Sequence, residues 1–206
     1  MNLSGTYETD IRSFEKEFDT EQLEPKDNLQ QKIADGVRDG IRRAGMSSSS
    51  LQMIDDSSVD NHDGTITAGV YDRQKNRIAL AGVEHIAETI DPSVSNVQAA
   101  VRDQVEATLG HEQRHQVSCE KAKARGEFGM ITAYLGVEAD RLFQELMASK
   151  GTESFDAYDV ERSRASHLAS QIGLGAEEVI HLLYEGREAQ IVSAAFQSGY
   201  LKPELN

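Results

Sequence analysis

Cationic side chains are scarce in this 206-residue chain: 21 Lys and Arg stand against 35 Asp and Glu, for a formal net charge of −14. The acids are spread along the chain rather than gathered in one tail. Such a surface repels phosphate backbones, so direct nucleic-acid binding is not expected, and a basic substrate suits it better. Cysteine is nearly absent. Cys119 stands alone, which excludes an intrachain disulfide and permits a reducing compartment. Long apolar runs are missing too: nothing approaches the ~18 apolar residues that a membrane helix needs. The N-terminal region holds no apolar segment of the kind a signal peptide uses. The expectation is a soluble cytoplasmic protein without membrane contact, with export that uses no cleaved signal left open. Internal repeats and low-complexity tracts are also lacking. What remains, 38% hydrophobic and 27% charged residues, is enough for one compact domain with a sizeable core.

Residues 1–26 are acidic, with Phe14, Phe18 and Leu23 as their few apolar points, and read as a tail or a short docking helix. A single domain is expected over 27–206. Pro25-Lys26-Asp27 reads as a helix start, followed by Leu29, Ile33, Val37 and Ile41 at helical spacing and by Gly45 as the stop. Residues 51–54 read as a first strand. The acidic turn 55–64 ends in Asp63-Gly64, a hairpin signal. Its spacing does not fit a calcium loop, because Val59 would fall at the first ligand position. Residues 65–71 and 77–81 read as two strands of a hairpin, with 77–81 as the sheet edge that an extended peptide could join. A connector over 83–96 leads to a long helix at 97–124. Further helices are expected at 130–149, 156–172 and 176–197.

The long helix carries His111-Glu112-Gln113-Arg114-His115. Positions i and i+4 share one helix face, so His111 and His115 can aim two imidazoles at one Zn²⁺. Glu112 lies about 100° round the axis, beside the ion rather than on it, where a general base can take a proton from water. The apolar residues Val101, Val105 and Leu109 lead into the motif at helical spacing, which places it on a packed helix and not in a loop.

A catalytic zinc site ordinarily has a third protein ligand. Glu138 and Glu161 are the two main candidates, with His167 and His181 behind them. If the helices around a turn centred near residue 127 fold back on each other, Glu138 falls level with His115. It also shares a face with Ile131, Leu135 and Leu142, and is placed first. Glu161 shares a face with Tyr158, Ala165, Leu168 and Ile172, early in its helix. For an oxyanion donor, Tyr134, Tyr158, Tyr184, His167 and His181 are all open. Cys119, one turn beyond His115, reads as a buried thiol and not a ligand.

His111-Glu112-x-x-His115 followed by a glutamate on a later helix resembles the gluzincin branch of the zinc metallopeptidases. Val137-Glu138-Ala139-Asp140-Arg141-Leu142-Phe143, with Leu146-Met147 after it, is similar to the Glu-Ala-Asn/Asp-x-Phe-Ala stretch of the small phage-immunity and radiation-response metallopeptidases. Gly69-Val70-Tyr71-Asp72 with Arg77-Ile78-Ala79-Leu80 is similar to the edge-strand hairpin that those proteins place before the active-site helix. The resemblance covers residues 50–147 and implies peptidase activity on peptides or proteins. Two positions depart from it. Arg114 stands where that group commonly has Gly before the second His, so packing around the site must differ, and Gln144 replaces a small residue. The group's helix-turn-helix repressor partner has no matching feature in this chain.

The expected fold is therefore α+β and zincin-like, a small antiparallel or mixed sheet packed on a mainly helical bundle. The expected function is zinc-dependent peptide hydrolysis with Glu112 as base. The rival readings are a zinc-binding regulatory module without turnover, a metal-free helical interaction protein, and a metal-dependent hydrolase of something other than peptides.

Overall fold

In the computed structural model, residues 28–54, 59, 66–91, 93–150 and 159–202 are described. The N-terminal tail 1–26, most of the acidic turn and Tyr158 lie outside them. The fold is α+β and mainly helical, with one three-stranded mixed sheet. Two compact units divide it, Met1–Gln113 and Arg114–Asn206, with the boundary inside one continuous helix. None of the described helices is long and apolar enough to cross a membrane.

In the first unit, α1 (Asn28–Arg43) buries Ile33, Val37 and Ile41. These recur every four residues and form one apolar stripe. Gly36 and Gly40 lie on the buried side as well, against the start of α3 (Val97–Arg125). A Cβ on Gly36 would stand 2.7 Å from the Gln98 carbonyl oxygen. One on Gly40 would stand 2.7 Å from Val105 Cβ and 2.8 Å from the Arg102 carbonyl oxygen. Backbone oxygens cannot swing aside. Gly40→Ala should thus lose more to overpacking, about 1–3 kcal/mol, than the ~1 kcal/mol that alanine gains in helix propensity. A lowered denaturation midpoint with unchanged helicity is the expected result, read by urea titration.

The sheet is built from β1 (Leu51–Met53), β2 (Gly69–Asp72) and β3 (Arg77–Leu80) in the order β1-β3-β2. β1 runs parallel to β3, and β2 is its antiparallel hairpin partner. The tight link between β2 and β3 is held by Asp72, whose Oδ1 accepts from the Gln74 and Lys75 amides, and by Asn76 with φ at 54°. Asn tolerates that left-handed conformation better than most residues. This order corrects one expectation. Residues 77–81 are not an edge: β3 is the central strand, because Leu51–Met53 returns to pair on its free side. The edges among the described strands are β1 and β2.

Three helical expectations also change. Residues 83–88 form a short helix, α2 (Val83–Glu88), inside the expected connector. The expected helix 130–149 is two, α4 (Met130–Leu135) and α5 (Val137–Ala148), broken at Gly136 with φ at 92°. The expected helix 176–197 is likewise split into α7 (Ala176–Tyr184) and α8 (Glu188–Gln197). The break there is Gly186, φ 66°, where a Cβ would run into the backbone of Lys121 and Ala122. Only glycine meets both demands at that point.

The second unit closes its core around α5. Phe143, Met147, Ile172, Leu183 and Ile191 are fully buried together, drawn from α5, the residue just past α6 (Asp159–Gln171), α7 and α8. Two carboxylates serve helix ends here, Glu188 buried and Glu127 half-buried. Glu188 accepts from the Ile131 amide at the start of α4, and Glu127 accepts from the Ala189 amide at the start of α8. Negative charge at a helix N-terminus satisfies orphan N–H groups and suits the helix dipole.

Candidate metal centre

Helix α3 positions the motif. Thr108 and Glu112, one turn apart, form the face toward β2: a Cβ on Gly69 would stand 2.5 Å from Thr108 Cγ2 and 3.4 Å from Glu112 Cγ. Gly69 thus lets an outer strand lie directly against the Glu112 side chain. His111 and His115 share the neighbouring face, with Ser118 and Ala122 beyond them. His111, Glu112 and His115 are all buried, at 7%, 7% and 9% exposure. Three polar side chains hidden on consecutive turns of one helix are costly unless they have a task or partners that repay desolvation.

The carboxylate that lies with the histidines belongs to Glu145 on α5. The ligand atoms of His111, His115 and Glu145 all lie within 4.8 Å of one another. His115 Nε2 and Glu145 Oε1 are 3.7 Å apart, too long for a hydrogen bond. Two donors on one tetrahedral zinc, each ~2.0–2.1 Å from it, stand roughly 3.4 Å apart. The pair is spaced more like co-ligands than like hydrogen-bond partners. Two imidazoles and a carboxylate suit a divalent cation, and the i, i+4 histidines with Glu112 between them reproduce the geometry of a zincin. Among the described residues this is the one such group of three.

Neither expected third ligand joins it. Glu138 is 55% exposed at its side chain, held on both oxygens by Arg141 at 3.0 Å and 3.0 Å and approached by Arg164 at 3.2 Å. The Arg141 hydrogen bonds, with added attraction from Arg141 and Arg164, hold its carboxyl below the ordinary carboxylate range despite slight desolvation. Its ion pairs make it a surface bridge from α5 to α6. Glu161 is half-buried in the first turn of α6 and is also outside the group. The reason lies at Gly136. An unbroken helix from 130 would bring Glu138 level with His115. With the helix broken at Gly136, the carboxylate that meets His115 is the one seven residues later, two helical turns along α5.

Glu145 had a signal of its own. It is the one carboxylate inside Leu142-Phe143-Gln144-Glu145-Leu146-Met147-Ala148, where every other residue is buried.

Of the candidate oxyanion donors, Tyr158 lies outside the described residues, and Tyr134, Tyr184 and His167 have partners of their own. Tyr134 packs edge-to-face on Phe196, and Tyr184 lies under Lys121. His167 meets Gln171 along α6, and His181 is exposed on α7. Cys119 is buried, as expected, and has no place among the three donors.

No family model, no curated protein and no solved structure matches this chain.

Proposed function

We propose that this chain is a zinc-dependent peptidase. The carrying observation is the convergence of the His111, His115 and Glu145 donor atoms with Glu112 buried at the adjacent helix position. His111, His115 and Glu145 would hold the ion. Bound zinc would polarise the scissile carbonyl and acidify an attacking water. The Glu112 carboxylate takes the proton of that water as the carbon–oxygen bond forms. It then delivers the proton to the leaving nitrogen as the carbon–nitrogen bond breaks. Its burial against β2 keeps the carboxylate beside the donor group.

The peptide joins the sheet at β2. That strand has no neighbour on its second side among the described strands, and Gly69 brings it against Glu112. Backbone hydrogen bonds to an outer strand recognise peptide in extended form without demanding one sequence. A similarity to the small phage-immunity and radiation-response peptidases fits this reading through the motif and the preceding hairpin.

Two histidines and a carboxylate also suit ferrous iron. What turns the reading toward hydrolysis is Glu112, since a redox or purely structural centre has no need of a buried base beside it. The test is metal content per chain together with cleavage of casein or a peptide library, before and after chelation. One equivalent of zinc, cleavage lost on chelation and regained with zinc, is the expected result. Bound iron without cleavage would overturn it.

A further inference from the structure

The two residues between Glu112 and His115 each reach the carboxyl end of another helix. Gln113 Nε2 donates to the Ala44 carbonyl, just past α1, at 3.0 Å. Arg114 Nη1 donates to the carbonyl of Ala148, the last residue of α5, at 2.8 Å. The final carbonyls of a helix have no partner within it, and they carry the negative end of its dipole. A guanidinium meets both needs at once.

Ala148 lies three residues after Glu145, on the same turn. The Glu145 carbonyl is itself bonded by the Ser149 amide at 2.9 Å, so this last turn is hydrogen-bonded through the residue that carries the carboxylate. Arg114 in turn precedes His115, whose Nε2 stands 3.7 Å from Glu145 Oε1. One short path therefore joins the two donors: His115, Arg114, the end of α5, Glu145. From this we infer that Arg114 is a positioning residue for the third donor. Its bond to the Ala148 carbonyl holds the last turn of α5 at the height where the Glu145 carboxylate meets the histidines. The inference rests on the metal-site reading above and assigns a task to a residue that a glycine at this position could not perform. It also accounts for a long, half-buried cation within the motif itself.

The alternative is a clamp that stabilises the helix pair and nothing more. Metal affinity separates the two. Zinc affinity is measured by chelator competition on the full chain, beside the thermal midpoint of the metal-free protein. The variants are Arg114→Met, Arg114→Lys and Ser118→Ala. Ser118 donates to the Leu183 carbonyl at 2.9 Å, so its loss loosens α3 from α7 and leaves the end of α5 untouched. Arg114→Met should weaken zinc binding ~10-fold or more, the usual scale for losing a group that orients a ligand. Arg114→Lys, which keeps a donor, should recover part of that affinity, and Ser118→Ala should bind as the wild type does. Should Arg114→Met fail to fold, the comparison of Arg114→Lys with Ser118→Ala at matched thermal midpoint carries the test, with a loss expected only in the former. Wild-type affinity in the Arg114 variants, or an equal loss in Ser118→Ala, would overturn the inference. A wild-type chain that binds no zinc would instead overturn the site reading, and the inference with it.

Discussion

Glu145→Gln is expected to abolish metal binding at stoichiometric zinc, while Glu138→Gln and Glu161→Gln bind as the wild type does. The amide keeps the shape of the side chain and removes the charge that a cation needs. Altering a group that only orients a ligand costs about 10–100-fold in affinity, so removal of a ligand should exceed about 100-fold. The two controls differ from Glu145 in what their carboxylates already do. Glu138 is spent on Arg141 and Arg164 at the surface. Its loss should cost under about 1 kcal/mol, because both partners are well exposed and screened. The sign with pH is fixed by the lowered carboxyl. Any stabilisation from Glu138 is present above the ordinary carboxylate range and lost as pH falls through the lowered value. The measurement is zinc per chain after dialysis, with chelator competition for the affinities. Zinc retained at full affinity by Glu145→Gln, and lost from either control, would return the third ligand to the residues the sequence favoured.

Glu112→Gln should separate binding from chemistry. The ligands and the side-chain volume stay, so one zinc per chain should remain. The proton acceptor goes, and general-base removal costs about 10²–10⁴-fold in rate. Wild-type cleavage with a silent, zinc-loaded Glu112→Gln chain is the expected pair of results, measured with a peptide library under identical metal loading. Equal cleavage by both would remove Glu112 from the mechanism. Zinc in both without cleavage in either would favour a binding module that uses the same three donors without turnover.

Most of the secondary structure could be read from local pattern. The stripe Ile33, Val37, Ile41 and the stop at Gly45 describe α1 closely, and Val101, Val105 and Leu109 announce the helix that carries the motif. These features depend on residues within one or two turns of each other, so neighbouring side chains decide them. The errors cluster where a single backbone torsion redirects the chain. Gly136 and Gly186 lie within stretches whose apolar spacing continues across them, and spacing does not report φ. The central place of β3 was hidden for a different reason. A parallel partner, Leu51–Met53, returns from outside the hairpin, and nothing local to residues 77–81 announces it.

The candidate site divides along the same line. His111, Glu112 and His115 are related by one helix, so their common geometry follows from 3.6 residues per turn and was available in the sequence. The sequence by itself also excluded an intrachain disulfide, and it marked a packed helix as the carrier of the motif. The third carboxylate belongs to another helix, and which of its residues stands level with His115 depends on how the chain turns between them. Gly136 makes that choice, placing Glu145 at the histidines and leaving Glu138 to its arginines in solvent. The task of Arg114 was equally out of reach, because its partner is a backbone carbonyl that every residue possesses. A contact of that kind leaves no residue-type signal, and only the tertiary fold decides which carbonyl the guanidinium meets.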